Sequence, residues 1–308
     1  MKDTIKKYYK KALIFTICPF IIPLIFTIPS NIINKLAQFI IALILIAIDI
    51  YYVFKYSREE AVKLHNLEND IFDNKKYRIS QRILNRISNC EKIKGGFIQE
   101  ETYEVHHKLN ENILLYNPHR YLERVCEEIK SLIAEITRID LEYISVSFIY
   151  KYPEENEEGQ ELCGWKWITG KDPTMNIDLI ELINKKESYY YYLMQNDIAA
   201  SFENDKSKLM PKHYWPEERD TRHNIYGSIS AHKMSFRNNN STFCTGYLTI
   251  STYGKQFYSK LDRNNIFDSE NELEQVLFDY VIPPFRKIIE TELGFLYLRH
   301  KYRQENKK

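Results

Sequence analysis

The sequence predicts an α+β protein with a pair of apolar helices at its N-terminal end. Residues 12–29 and 36–54 form two long apolar segments, in which Asp49 is the only charged residue. From residue 118 onward, apolar residues recur first with the 3.6-residue period of a helix and then with the two-residue period of strands. Helices that surround adjacent antiparallel strands are typical of the α+β class.

Each apolar segment is long enough to cross the hydrocarbon core of a bilayer as a helix, which takes about 20 residues. The six residues 30–35 between the segments predict a tight hairpin, and Pro19 and Pro23 predict a kink in the first helix. A cleaved signal peptide is the alternative for the first segment, but this apolar run is long and ends without a small-x-small cleavage site. We therefore predict a transmembrane hairpin over residues 1–55.

The distribution of basic residues predicts how this hairpin is oriented. Residues 1–11 carry a net charge of +4, and Lys55 and Arg58 follow the second segment, whereas the connecting loop contains only Lys35. Basic residues concentrate on the cytoplasmic side of membrane proteins. We expect two spans in an inner or plasma membrane, with both termini in the cytoplasm. Cysteines without paired spacing agree with a reducing compartment.

Residues 56–117 are predicted to be a helical linker. Between 57 and 94 the sequence lacks Pro and Gly, and apolar residues recur at spacings of three and four. Ser57 and Glu60 predict a cap at the start, and Gly95-Gly96 predicts the end, of one long helix or two short ones. The apolar stripe either pairs with a second copy of the chain, giving a homo-oligomer, or packs on the chain's own globular domain.

The globular domain is predicted over residues 118–298, followed by a basic tail over 299–308. A helix that starts at Pro118 precedes two strands, and an acidic hairpin tip joins these strands. A second helix, a polar irregular segment, a β-hairpin and a closing helical region interrupted at Pro283-Pro284 complete the domain. The predicted bounds are 118–138, 141–152, 162–169, 176–194, 196–224, 225–236, 244–253 and 269–298.

This order of elements resembles that of GAF domains, a family of sensor domains. The resemblance covers residues 118–298 and rests mainly on the hairpin GSISAHKMSF…GYLTISTY behind a long loop. It implies an antiparallel sheet with helices on one face and a ligand pocket on the other. PAS-like and other α+β sensor folds share this pattern. Lys206 and Ser207 stand where GAF domains that bind cyclic nucleotides have Asp-Glu, so the resemblance implies no cyclic-nucleotide ligand.

Aromatic residues concentrate on the elements that would wall such a pocket, and aromatic walls with a few polar groups are typical of small-ligand sites. Two arginines in the long loop could contact an anionic ligand. The alternative is that the aromatic side chains fill the core. The predicted ligand-binding residues are Trp165, Trp167, Tyr214, Trp215, Arg219, Arg222 and His232.

The sequence lacks the motifs of the common catalytic sites: a Walker phosphate loop, GxSxG, HExxH, GxGxxG and an EF-hand loop. Their absence favours a non-catalytic role over an enzyme. The spacing of His213, His223, His232 and Cys244 matches no metal-binding framework, so we predict no metal and no cofactor. Residues 56–308 carry a net charge of −4, which argues against a nucleic-acid partner.

These features together predict a membrane-anchored cytoplasmic sensor or effector. It would bind a small molecule or a protein and act through its transmembrane hairpin. Bacterial anti-phage systems often join a short membrane module to a ligand-binding domain, and the layout of this chain is similar. The alternatives are a membrane-tethered scaffold for a neighbouring enzyme and a membrane-tethered enzyme.

Overall fold

The computed structural model describes residues 35–107, 117–152, 164–169, 179–210, 212–216, 218–238, 241–261 and 266–305. The chain divides into an N-terminal unit, Met1–Tyr77, and a C-terminal unit, Arg78–Lys308. The first predicted span, its loop and the acidic hairpin tip lie outside the described residues.

The first helix, α1, runs without a break from Lys35 to His107. The predicted start at Ser57 is wrong, because the chain is already helical there and the backbone needs no cap. The predicted end at Gly95-Gly96 is also wrong. Each of the two glycines lowers the stability of a helix by about 1 kcal/mol relative to alanine. Beyond them, however, Phe97 still packs against the large hydrophobic core described below. Tertiary packing therefore outweighs the weak helix propensity of these glycines.

Several large apolar side chains of α1 are exposed within the second predicted span. These are Ile40, Ile41, Leu43, Ile44, Tyr51 and Phe54. Judged over the described residues, no helix is both long enough and apolar enough to cross a membrane.

The C-terminal unit is built on a five-strand sheet in which every neighbouring pair of strands is antiparallel. The strand order is β2-β1-β5-β4-β3, so that β5 lies in the centre. This sheet and its helices confirm the predicted α+β class. The strands are β1 (Ile144–Lys151), β2 (Lys166–Thr169), β3 (Ala200–Glu203), β4 (Ile229–Arg237) and β5 (Thr242–Thr252).

One face of the sheet carries the main hydrophobic core. Helix α2 (Pro118–Thr137) packs across this face, as its apolar stripe predicts, beside the closing helix α7 (Ile282–Glu305). Ile79, Ile83 and Ile87 of α1 join the same core. This part of the linker stripe therefore packs on its own chain, which is the second of the two alternatives raised above.

The opposite face of the sheet is covered more thinly. Two short helices, α3 (Leu179–Asn184) and α4 (Tyr189–Gln195), pack there over a second, smaller apolar cluster. The sequence predicts one helix over 176–194, but the helix is interrupted between Asn184 and Tyr189. The Ser188 side chain accepts a hydrogen bond from the backbone N–H of Tyr191 (3.0 Å) and caps α4.

The segment predicted to be irregular, 196–224, contains the edge strand β3, a 3₁₀ turn at Lys206–Leu209 and the short helix α5 (Glu218–Thr221). The closing region is continuous where an interruption was predicted. Helix α6 (Glu270–Val276) passes through a π-helical turn, Leu277–Val281, into α7. Pro283 and Pro284 follow directly after this π-helical turn, as the second and third residues of α7.

Candidate functional site

A narrow cleft lies on the thinly covered face of the sheet. Its floor is polar and is formed by two cross-strand pairs of β1 and β5, Ser145 with Ser251 and Ser147 with Thr249. Aromatic side chains form most of the walls: Trp167 from β2, Tyr189 and Tyr190 from α4, and Tyr214, Trp215 and Tyr253. The cavity measures about 50 Å³. A water molecule needs about 10–15 Å³ measured in this way, so the cleft holds a few waters or one small chemical group.

Three residues that line this cleft each have a buried polar atom with no hydrogen-bond partner among the described residues. These atoms are the indole Nε1 of Trp167, the hydroxyl of Tyr189 and Oγ1 of Thr249. The Ser201 side chain lies near the Tyr189 hydroxyl, but the two groups are not oriented for a hydrogen bond. Buried polar groups in native proteins nearly always have a partner, so the three unpartnered atoms make this cleft the candidate functional site.

The end of the cleft rests on a fully buried ion pair. The ammonium of Lys206 donates hydrogen bonds to Asp220 Oδ1 (2.5 Å), to the Tyr214 hydroxyl (3.1 Å) and to Ser251 Oγ (3.2 Å). The Tyr214 hydroxyl in turn donates to Asp220 Oδ2 (2.7 Å). Both charged side chains are completely buried. The three N–H bonds of the ammonium are all used, so this network positions Tyr214 and Ser251 rather than offering a charge to the cleft.

Specific backbone contacts hold the segment that carries Lys206 and Tyr214 against the sheet. The Asn204 side chain exchanges two hydrogen bonds with the backbone of Tyr258, at 2.9 and 3.0 Å. Gly227 ends the segment with φ +84°, and a Cβ at this position would lie 2.2 Å from the carbonyl oxygen of Thr252. Only glycine fits such a close approach in the left-handed region. The segment is therefore fixed at both ends.

Three of the seven predicted ligand-binding residues, Trp167, Tyr214 and Trp215, line the cleft. Trp215 is 41% exposed at its mouth, with Lys185 Nζ placed over its ring. Trp165 does not line the cleft. It packs against Tyr247 with ring centroids 6.0 Å apart.

The other three predicted residues lie outside the cleft. The Arg219 guanidinium lies 4.3 Å from the ring centroid of Tyr253, a wall residue of the cleft, but is not itself part of the lining. Arg222 is exposed and pairs with Glu218 at 2.5 Å. The structure places His232 on the opposite face of the sheet, edge-on to Phe278.

His232 is part of the main core rather than of the cleft. Ser230 Oγ lies 2.9 Å from its Nε2. Burial, together with the nearby Arg286 guanidinium, lowers the pKa of His232 from 6.5 to about 3. His232 is therefore neutral in the folded protein at neutral pH. Within the described parts of the chain, no three His, Cys, Asp or Glu side chains come together to hold a metal ion.

Sequence reasoning missed Lys206, Asp220, Tyr189 and Thr249. Lys and Asp are almost never fully buried, and these two are separated by 14 residues in a segment that reads as a solvated loop. A signal for Thr249 was available. It alternates with apolar Leu248 and Ile250 on β5, whose residues 247–252 form a run of mostly strand-forming residues typical of the centre of a sheet. A polar residue on the face away from the main core therefore points into whatever covers the second face.

The cleft has the chemistry of a binding site for a small uncharged group. Trp167 offers one N–H donor, and the hydroxyls of Tyr189 and Thr249 can donate or accept. The buried charges of Lys206 and Asp220 cancel each other. No protein-family model matches this chain, and the comparison with curated proteins found no match. The functional argument therefore depends on the fold and on this cleft.

Proposed function

We propose that this chain is a membrane-anchored sensor or effector whose sheet-face cleft recognises a small ligand. The observation that carries this proposal is that three residues of one cleft lining, Trp167, Tyr189 and Thr249, each have a buried polar atom without a partner. Each such group costs about 1–3 kcal/mol when it is left without a hydrogen bond. A protein that keeps three of them in one place gains from a ligand that satisfies them.

The cleft limits the ligand that this proposal allows. Typical pockets for drug-sized molecules have about 300–1,000 Å³, which is far more than this cleft offers. The ligand therefore inserts one small polar group, such as a carbonyl or an amide, between the aromatic walls. A larger molecule would leave the rest of its body at the mouth, beside the ring of Trp215. A charged group is disfavoured because the Lys206–Asp220 pair has no net charge.

A GAF-like or PAS-like family membership is part of the proposal. It is supported by the antiparallel sheet, by the helices on one face and by the cleft on the other. We also propose that residues 1–55 anchor the chain in a bacterial inner membrane as two spans, with both termini in the cytoplasm. The charge pattern of the sequence and the exposed apolar side chains of α1 at 40–54 support this anchor.

Helix α1 supports a proposal for how binding is transmitted. This one helix contains residues of both units, and its C-terminal part is attached to the core. Lys94 Nζ contacts Glu292 Oε1 of α7 at 2.6 Å, and Arg86 pairs with Glu128 of α2 at 3.1 Å. A change in the sheet or in its helices would therefore act on the helix that continues toward the membrane segment. The homo-oligomer predicted from the apolar stripe of residues 57–94 would form through the part of α1 that precedes Ile79.

The enzyme alternative receives less support from the site. Lys206 and Asp220 would be the natural acid–base pair, but neither has any surface exposed to the cleft. A catalytic group must reach the atom on which it acts. The scaffold alternative requires no ligand, and the experiment below separates it from a sensor.

We place the sensor in anti-phage defence, where Trp215→Ala would abolish protection in plaque assays.

A thermal-unfolding screen of the full-length protein in neutral detergent against a library of small polar metabolites tests ligand binding. The variant Thr249→Val removes one unpartnered hydroxyl. We expect it to raise the stability by about 1 kcal/mol, since an unsatisfied buried group disappears, and to lose the response to the ligand. Thr245→Val, on the same strand outside the cleft, is the matched control and should keep the response.

Two outcomes would contradict the proposal. The first is a screen in which no compound stabilises the wild-type protein. The second is a compound that stabilises Thr249→Val and the wild type equally, because its site would then lie elsewhere. If Thr249→Val gains stability without any compound acting on the wild type, the unpartnered atoms mark a packing fault, and the scaffold alternative gains support.

A further inference from the structure

A second concave site lies at the edge of the sheet, on the face that the long helices cover. This basic groove has a volume of about 290 Å³ and shares no lining residue with the cleft. Its residues come from the start of α2, the end of β1, β2 and the last turns of α7. They are Asn117, His119, Tyr150, Tyr152, Lys166, Leu296, Arg299, His300 and Arg303.

The charged residues that line the basic groove are cationic. They are Lys166, Arg299 and Arg303, and no Asp or Glu is among the described residues that line it. Glu123 lies next to this lining, with its Oε1 3.4 Å from His119 Nδ1. The N-terminus of α2 also lies here, and its backbone N–H groups add a partial positive charge. Such a concentration of cations around one concavity favours an anionic ligand.

The geometry of the basic groove suits a tetrahedral oxyanion. Arg299 and Arg303 are one helical turn apart on α7, so both guanidinium groups can approach the same ligand. Arginine binds phosphate with two parallel hydrogen bonds, which sets it apart from a simple point charge. Tyr150 and Tyr152 are buried and form the floor.

The floor of the groove is held in place by ring contacts. The Tyr152 ring stacks on His300, with centroids 4.3 Å apart and planes inclined by 15°. Lys166 Nζ lies 5.3 Å from the centroid of the same ring. The Tyr152 hydroxyl donates to the carbonyl oxygen of Leu296 at 3.1 Å, which attaches β1 to α7. The cationic side chains are therefore mounted on a fixed aromatic base.

We propose that the basic groove binds a phosphate ester. Its volume is near the lower end of the range for small-molecule pockets, about 300–1,000 Å³, and so exceeds the needs of inorganic phosphate alone. The same phosphate chemistry is offered by a soluble nucleotide and by the headgroup of an anionic phospholipid. This site is independent of the ligand proposed for the cleft, since it uses other residues and favours an anionic group rather than an uncharged one.

Two binding measurements on full-length protein distinguish the sources. Calorimetric titration with adenosine monophosphate in neutral detergent tests the soluble ester. Native mass spectrometry after reconstitution with phosphatidylcholine and phosphatidylglycerol tests the lipid. The groove variant Arg299→Gln/Arg303→Gln should weaken binding of the ester that fits by about tenfold or more. The control Lys287→Gln/Lys301→Gln removes the same charge from the same helix outside the groove and should change it less than about twofold.

The proposal fails if neither probe binds, or if both double variants lose affinity equally, because the attraction would then be that of net charge alone. Five glutamates lie between Tyr152 and Gly164 in the sequence, outside the described residues. Binding of a probe only after all five are replaced by glutamine would also overturn the proposal. The natural occupant of the groove would then be the chain's own acidic segment.

Discussion

The buried pair of Lys206 and Asp220 makes a sharp prediction for the substitution Lys206→Met. The methionine fills a similar volume, but it removes the cationic partner of the buried Asp220 carboxylate, which still accepts a hydrogen bond from the Tyr214 hydroxyl. Removing one partner of a buried ion pair typically costs about 3–5 kcal/mol, because the other charge stays uncompensated. In a domain of this size about 2–4 °C of melting temperature correspond to 1 kcal/mol, so we expect a decrease of about 6–20 °C.

A neighbouring lysine provides the matched control. Lys208 lies in the same 3₁₀ turn and pairs with Glu203 at 3.0 Å, but its side chain is 60% exposed. Exposed pairs contribute about 0–1 kcal/mol, so Lys208→Met should barely change the melting temperature. All three tryptophans belong to the C-terminal unit, and their fluorescence during heating therefore reports on that unit specifically.

The double variant Lys206→Met/Asp220→Asn separates charge from packing. It removes the stranded carboxylate and keeps an oxygen that accepts from Tyr214, so we expect it to be more stable than Lys206→Met alone. If Lys206→Met is no more destabilising than Lys208→Met, the pair does not hold the segment on the sheet. If the stability losses of Lys206→Met alone and Asp220→Asn alone add up to the loss in the double variant, the two side chains are not coupled, and the description of the network is wrong.

Three further predictions concern the core and the membrane segment. The depressed pKa of His232 means that the unfolded state takes up a proton below pH 6.5 while the folded state does not, so stability falls from pH 6.5 down to about 3. The loss of stability is about 2 kcal/mol at pH 5. In urea titrations His232→Gln should lack this loss, so the stability difference between variant and wild type should change between pH 6.5 and pH 5. A stability difference that stays constant over this range would contradict the prediction. Residues 78–308 should unfold cooperatively, whereas residues 118–308 should melt lower because Ile79, Ile83 and Cys90 of the main core are removed; equal melting temperatures would contradict this. Reporter fusions at Lys308 and within residues 30–34 should report opposite sides of the membrane, and a reporter at Lys308 outside the cytoplasm would overturn the proposed orientation.

The main elements of the C-terminal unit could be predicted because their periodicity is strong. The apolar stripe of α2 and the alternation along β1, β4 and β5 each indicate the buried face directly. Strand β3 was missed because it is a four-residue edge strand with no fully buried side chain. The continuation of α1 past Gly95-Gly96 was missed because it depends on contacts with the main core, which local propensity does not contain.

Three of the seven predicted site residues line the cleft, because local sequence indicates residue type but not which face of the sheet a residue occupies. Aromatic enrichment indicated Trp167, Tyr214 and Trp215, which line the cleft, but it gives no information on the face. The alternation of side chains along a strand gives this information. His232 lies on the same face of β4 as Met234, which is part of the main core, whereas Ile229 lies on the face of the cleft. The Lys206–Asp220 pair could not be found from the sequence, since its two members meet only after the segment folds over β5.

Tryptophan fluorescence tests the binding function of the cleft most directly. Trp167 and Trp215 line the cleft, whereas Trp165 packs against Tyr247 outside it. The variant Trp165→Phe keeps both tryptophans of the cleft, and it is titrated with a compound that stabilises the wild-type protein. The proposal predicts a saturable change in its emission that equals the change seen in the wild type. If the compound stabilises Trp165→Phe but no longer changes its emission, the ligand does not bind in the cleft.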